Sequence, residues 1–190
     1  DLIADGKSVT LKGITFINGN STGNGGSIFS DGKLTLDNCK FINNTASEHG
    51  GAVFFGPDTG DSILNCYFDS NVAGINGGAV DFNRGSSQAT ITGTTFNNNI
   101  ANRSAGAVYW YGANGIIKDS NFTNNAALGI VPYEDSYGNV TYGGNGGAIM
   151  WTGSDGSVYN CTFVDNNATY KGGAVYLQGS IEGLCNNTVF

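Results

Sequence analysis

Apolar and polar residues alternate along this chain in short runs, interrupted every few positions by Asn or Gly. Val53-x-Phe55, Val80-x-Phe82, Val108-x-Trp110, Ile149-x-Trp151 and Val175-x-Leu177 are the clearest of these runs. Successive side chains of a strand point to opposite faces, so a period of two predicts strands. No stretch sustains the longer period that an amphipathic helix requires.

The runs belong to a repeat built from two words. Phe-x-x-Asn-x-Ala occurs at Phe41/Asn44/Ala46, Phe68/Asn71/Ala73, Phe96/Asn99/Ala101, Phe122/Asn125/Ala127 and Phe163/Asn166/Ala168, and Phe16 opens a degenerate copy with Gly19 in the Asn place. Gly-Gly-Ala-Val/Ile occurs at 50–53, 77–80, 146–149 and 172–175. At 25–28 Ser replaces Ala, and at 105–108 Ala105 replaces the first Gly. The Phe positions 16, 41, 68, 96, 122, 163 and 190 lie 25–28 residues apart, except for one step of 41 that contains an insertion at 128–145.

Further columns line up on the Phe. Five residues before it stand Leu11, Leu36, Ile63, Ile91, Ile117, Val158 and Cys185, all apolar. Three before it stand the turn formers Gly13, Asn38, Asn65, Gly93, Asp119, Asn160 and Asn187, and two before it the small residues Cys39, Cys66, Thr94, Ser120, Cys161 and Thr188. Each copy therefore holds about three short strands between Asn- and Gly-rich corners. A unit this short cannot bury its apolar side alone, but stacked copies can, with like residues about 4.8 Å above one another. The pattern predicts an all-β fold, a parallel β-helix of six to seven coils occupying residues 1–190 as one domain. A β-propeller is the alternative, but a blade takes about 40–45 residues and four strands. Asn at a fixed corner suits the stack, because its amide both donates and accepts along a ladder.

Composition narrows the function. The chain has 190 residues, 12% of them charged, and a net charge of −7, which repels nucleic acid over most of its surface. No run is long enough for a membrane span, and with a single His a His-built metal site or triad has almost no material. The chain opens without a leader and closes without an anchor, and reads as a piece of a larger protein.

Candidate chemistry is sparse. The Cys column lacks Cys-x-x-Cys spacing, and parallel side chains in a ladder do not converge as a disulfide needs, so buried free thiols filling a small site are expected. Sugar hydrolysis needs two carboxyls about 5–10 Å apart, and Asp58, Asp61, Asp155 and Glu182 are the candidate acids for stacked corners to bring together. They form no column, and solvated turn chemistry accounts for Asp58, Asp61 and Asp155. Oxygen clusters for calcium at Asp58/Asp61 or Glu134/Asp135 match no known calcium-loop spacing, so no cofactor is expected.

Two features point to binding. If Val53 and Phe55 face inward, residue 54 faces outward, and its column reads Phe29, Phe54, Asp81, Tyr109, Met150 and Tyr176. Solvent-facing columns are normally Thr, Ser or Lys, whereas aromatics with scattered polar groups suit sugar rings and protein partners. The plainer readings are strand preference of aromatics, cover by a neighbouring domain, or an inverted assignment that makes the column core. The loop insertion carries Tyr133, Glu134, Asp135, Tyr137 and Tyr142, which a regular coil does not need. Recognition tends to reside on long loops held by a rigid scaffold.

Phe-x-x-Asn with Gly-Gly-Ala-Ile/Val resembles the repeat pair of chlamydial polymorphic outer-membrane proteins. The runs at 38–46 and 159–168 resemble methanogen adhesin-like proteins as well. The resemblance covers nearly the whole chain and implies right-handed winding and an exported, cell-surface or wall-attached adhesin. It supplies no catalytic motif. The expected partner is a glycan or surface protein of another cell. The alternatives are a structural fibre formed by end-to-end stacking of open strand edges, and a polysaccharide lyase or glycoside hydrolase of β-helix type.

Overall fold

Each repeat folds into one revolution of the chain, and equivalent residues of successive repeats hydrogen-bond as parallel strands. The computed structural model describes residues 7–57, 60–83, 86–134, 137–138, 140–178 and 183–186. The first ladder runs from Ser8–Lys12 through Lys33–Asp37, Ser62–Leu64, Thr90–Thr92, Gly115–Lys118 and Gly156–Tyr159 to Gly183–Asn186. A second contains the Phe of every copy, with Phe16, Phe41, Phe68, Phe96, Phe122 and Phe163 in register. Another contains the Gly-Gly-Ala word's strands, from Ile28–Ser30 to Val175–Leu177. Beside these three expected ladders runs a narrow fourth, two residues per coil, through Ala46, Ala73, Ala101, Ala127 and Ala168. It is the continuation of the strand past the Asn corner.

The corners follow from backbone sterics. Asn38, Asn65, Asp119 and Asn160 have φ between 52° and 54°, and Asn18, Asn43, Asn98 and Asn124 between 54° and 57°. Asn and Asp tolerate this left-handed region better than other residues with a Cβ. Directly after the second corner the repeated Asn turns inward: Asn44 Nδ2 donates to Asn71 Oδ1 at 2.8 Å, Asn71 to Asn99 at 2.9 Å, Asn99 to Asn125 at 3.0 Å and Asn125 to Asn166 at 2.9 Å. The same oxygens accept the backbone N–H of the preceding coil's Asn, and Asn44 to Asn125 are fully buried. The small column before each Phe works alike. Cys66 Sγ accepts from Cys39 N at 3.4 Å, Thr94 Oγ1 from Cys66 N at 3.3 Å and Ser120 Oγ from Thr94 N at 3.1 Å. A compact side chain carrying a heteroatom is needed there. Cys39, Cys66 and Cys161 are buried free thiols, as expected.

The core consists of stacked columns. The Phe rings lie 4.7–4.9 Å apart and within 8° of parallel from Phe16 to Phe163. A second aromatic column holds Phe55, Phe82, Trp110 and Trp151, the two indoles 4.6 Å apart and 2° from parallel. The wider indoles fit because Gly115 and Gly156 stand where Asp61 and Ala89 stand in earlier coils. A Cβ on Gly115 would lie 2.1 Å from Trp110 Cζ2. Close approach also explains the second Gly of the repeated word: a Cβ on Gly51 would lie 2.0 Å from the Gly78 carbonyl oxygen of the next coil.

Candidate functional site

Val53, Val80, Val108 and Ile149 point into the core together with Phe55, Phe82, Trp110 and Trp151. The residues between them therefore face outward, and pairing sets Phe29, Phe54, Asp81, Tyr109, Met150 and Tyr176 one above another. Outward does not mean solvated. Phe54, Asp81 and Met150 are 6%, 2% and 9% exposed, in contrast to the expected solvent-facing stripe. Phe54 is covered by Phe29, stacked at 5.2 Å, and by the His49 ring at 6.4 Å. Asp81 is covered from the same side by His49.

This column forms the floor of a groove. Toward the first coils a cavity of about 490 Å³ is lined by Glu48, His49, Phe54, Asp81 and Asn83. Toward the last coils a cavity of about 670 Å³ is lined by Tyr133, Tyr142, Met150, Lys171 and Tyr176. Asn76, Arg103, Tyr109 and Tyr111 line both, so the two cavities adjoin. From Phe54 to Tyr176 the floor rises through four strand spacings, about 19 Å in all.

The insertion supplies one wall. It is a two-stranded antiparallel hairpin rather than an irregular loop, with Pro132–Glu134 paired to Val140–Tyr142. Its Tyr133 ring lies under the Arg103 guanidinium, 5.0 Å from the ring centre. Lys171 Nζ closes the far end, 4.9 Å from the Tyr170 ring centre and 5.8 Å from that of Tyr176.

Polar groups inside the groove are distinctive. His49 Nδ1 lies 3.1 Å from Asp81 Oδ2, with the carboxyl side chain 3% exposed and the imidazole 30%. Burial pushes the Asp81 carboxyl above its ordinary value, while His49 pulls it the other way. Burial also raises the Tyr109 phenol, opposed by the Thr152 hydroxyl. Among the described residues, the amide oxygens of Asn76 and Asn145 are buried and accept no hydrogen bond. Both residues line the groove.

The model of the right handed beta helix region matches residues 2–142. The chain belongs to the right-handed β-helix family. A second model, the Chlamydia polymorphic membrane protein repeat, matches residues 160–178. No curated protein and no solved structure matches the chain. A right-handed β-helix carrying this repeat fits an adhesin-like surface repeat protein.

In this β-helix, seven of the ten binding residues proposed from sequence come together on the groove: Tyr109, Met150, Tyr176, Tyr133 and Tyr142 in the larger cavity, Phe54 and Asp81 in the adjoining one. Tyr137, 89% exposed, lines neither. Asp135 lies outside the described residues, and Glu134 is described only as part of its strand. Of the acids weighed for hydrolysis or calcium, Asp58 and Glu182 are outside the described residues. Asp155 is an exposed corner, as expected. Asp61 is not a solvated turn residue: it is 1% exposed, and its Oδ1 accepts from Leu34 N at 2.8 Å. Among the described residues no group of three or more His, Cys, Asp or Glu is placed to hold a metal ion.

Among the groove residues that the sequence does not single out are His49, Asn76, Arg103 and Lys171. A single His offers too little for a metal site or triad, but a buried carboxylate one coil away gives His49 a partner. Asn76 belongs to a column immediately before Gly-Gly (Asn24, His49, Asn76, Ser104, Asn145, Lys171) that the alignment contains. That column also holds Lys171, and its polar character was the available signal. Arg103 had none, because its role depends on where the hairpin folds.

Proposed function

We propose that this β-helix is the binding segment of an extracellular cell-surface adhesin, and that the groove along its Gly-Gly-Ala ladder holds a glycan of a partner cell. The observation that carries this reading is the cavity lined by Tyr109, Tyr111, Met150 and Tyr176 and walled by the Tyr133/Tyr142 hairpin. Flat aromatic faces interspersed with hydrogen-bonding groups match the alternating apolar and hydroxylated faces of sugars. A rigid floor adds to this, since a preorganised site loses little conformational entropy when a ligand seats. The length of the groove suits an extended oligosaccharide better than a single small molecule.

The test is a glycan array probed with the purified chain and with a variant lacking residues 130–142. Saturable binding without cleavage, lost in the variant while its circular dichroism is unchanged, is the expected result. Equal binding by both proteins overturns the assignment to the groove. Release of new reducing ends would make the chain a sugar-cleaving enzyme, and binding only to deglycosylated cell-surface protein would replace the glycan with a protein partner.

A further inference from the structure

Charge is distributed unevenly along the groove. Among the described residues, the larger cavity is lined by two cations, Arg103 and Lys171, and by no carboxylate. In a chain with eight basic and fifteen acidic residues this is a reversal of the overall sign. Neither cation forms a salt bridge among the described residues; the described pairs are Lys12–Asp37 and His49–Asp81. Both instead lie over tyrosine rings. The adjoining cavity shares Arg103 but adds the carboxyls of Glu48 and Asp81, so the cationic excess lies at the Lys171 end.

We infer that the Arg103–Lys171 compartment selects an anionic glycan, seating a sugar-borne carboxylate or sulfate between the two cations. The inference rests on the glycan reading of the groove and adds the substrate class. An unpaired guanidinium presents a planar fork of donors that matches an oxyanion in two parallel hydrogen bonds. Tyr133, with its ring centre 5.0 Å from the guanidinium, holds it from one face and leaves its edge for the ligand. Asn76, whose buried amide oxygen has no donor among the described residues, lines both cavities where they meet. Glu48 and Asp81 disfavour an anion at the other end, so the ligand lies in one direction along the floor. The net negative charge of the whole chain does not oppose this, because charges beyond about 10 Å are largely screened at about 0.1 M salt.

The experiment compares a hexuronate oligosaccharide with the same oligosaccharide after its carboxylates are reduced to alcohols, and with a sulfated form of the reduced one. Binding of the wild-type chain is measured by calorimetry beside Arg103→Gln, Lys171→Gln and Lys40→Gln. Lys40 is exposed on the Phe ladder, away from the groove, and its variant controls for total charge. The uronate, the sulfated form or both should bind about tenfold more tightly than the reduced form, and which of them does so identifies the source of the anion. That advantage should shrink between about 0.1 M and about 1 M salt. It should be lost in Arg103→Gln and Lys171→Gln and kept in Lys40→Gln. Equal binding of charged and neutral forms, or an advantage that survives both groove variants, overturns anion selection and leaves the glycan reading intact. Absence of binding to all three forms, with an equally inert glycan array, overturns both. Binding of a single-stranded oligonucleotide as tight as that of the uronate shows a general polyanion site and overturns the assignment to a glycan.

Discussion

His49 Nδ1 stands 3.1 Å from Asp81 Oδ2 across 32 residues of sequence, because one revolution of the chain brings the corner before one Gly-Gly turn beside the next coil's strand. The pair lies at the floor of the groove. Burial of Asp81 there disfavours its charged form, and His49 offsets only part of that cost.

This makes a pH prediction. A carboxyl whose folded pKa lies above its ordinary 3.8 stabilises the fold fully below that pH and gives up the stabilisation as pH rises through the folded value. Asp81→Asn has the same shape and no proton to lose. In urea denaturation followed pH by pH, the variant should gain on the wild type from about pH 4 upward. Parallel profiles would refute the buried placement.

Thiol chemistry provides a second check. Burial pushes the Cys66 thiol up to about 12, so at neutral pH it stays protonated and unreactive. Alkylation mapped by peptide mass spectrometry should leave Cys66 unmodified in the folded chain and modify it at once in denaturant. Because the folded value exceeds the unfolded 9.0, its stabilising contribution is complete below pH 9.0 and fades toward pH 12.

The Phe column bears on stability directly. Phe96 is fully buried, 4.9 Å from the Phe68 ring and 4.8 Å from that of Phe122. Phe96→Ala should cost about 3–5 kcal/mol through lost burial and the cavity left behind. A shift in equilibrium denaturation well under 1 kcal/mol, on the order of an exposed substitution, would contradict the stack.

Size matching between Trp110 and Gly115 predicts a rescue. Gly115→Ala drives a methyl into the indole and should destabilise by about 1–3 kcal/mol. Adding Trp110→Phe recreates the preceding coil's pairing of Phe82 with Ala89, so the double variant should recover most of that loss. Additive losses, measured in the same denaturation assay, would show the two positions to be uncoupled.

Much of this architecture was legible in one dimension. Phe-x-x-Asn and Gly-Gly-Ala-Val recur once per revolution, so aligning copies also aligns what stacks; the Phe rings, the Asn amides and the outward Phe54–Tyr176 column all follow from subtraction of positions. Backbone sterics add the corners, since Asn, Asp and Gly recur where φ must be positive. Contacts between different columns were not legible. The repeat says which residues share a column and nothing about which columns lean together, so His49 with Asp81 and Trp110 with Gly115 emerged only from the folded coil. The hairpin at 132–142 has no counterpart in other coils, and its direction alone decides that Tyr133 meets Arg103. Stacking is a local, repeated interaction that sequence spacing encodes. A groove is built from packing across columns and from one irregular insertion, and those are settled by the geometry of the whole fold.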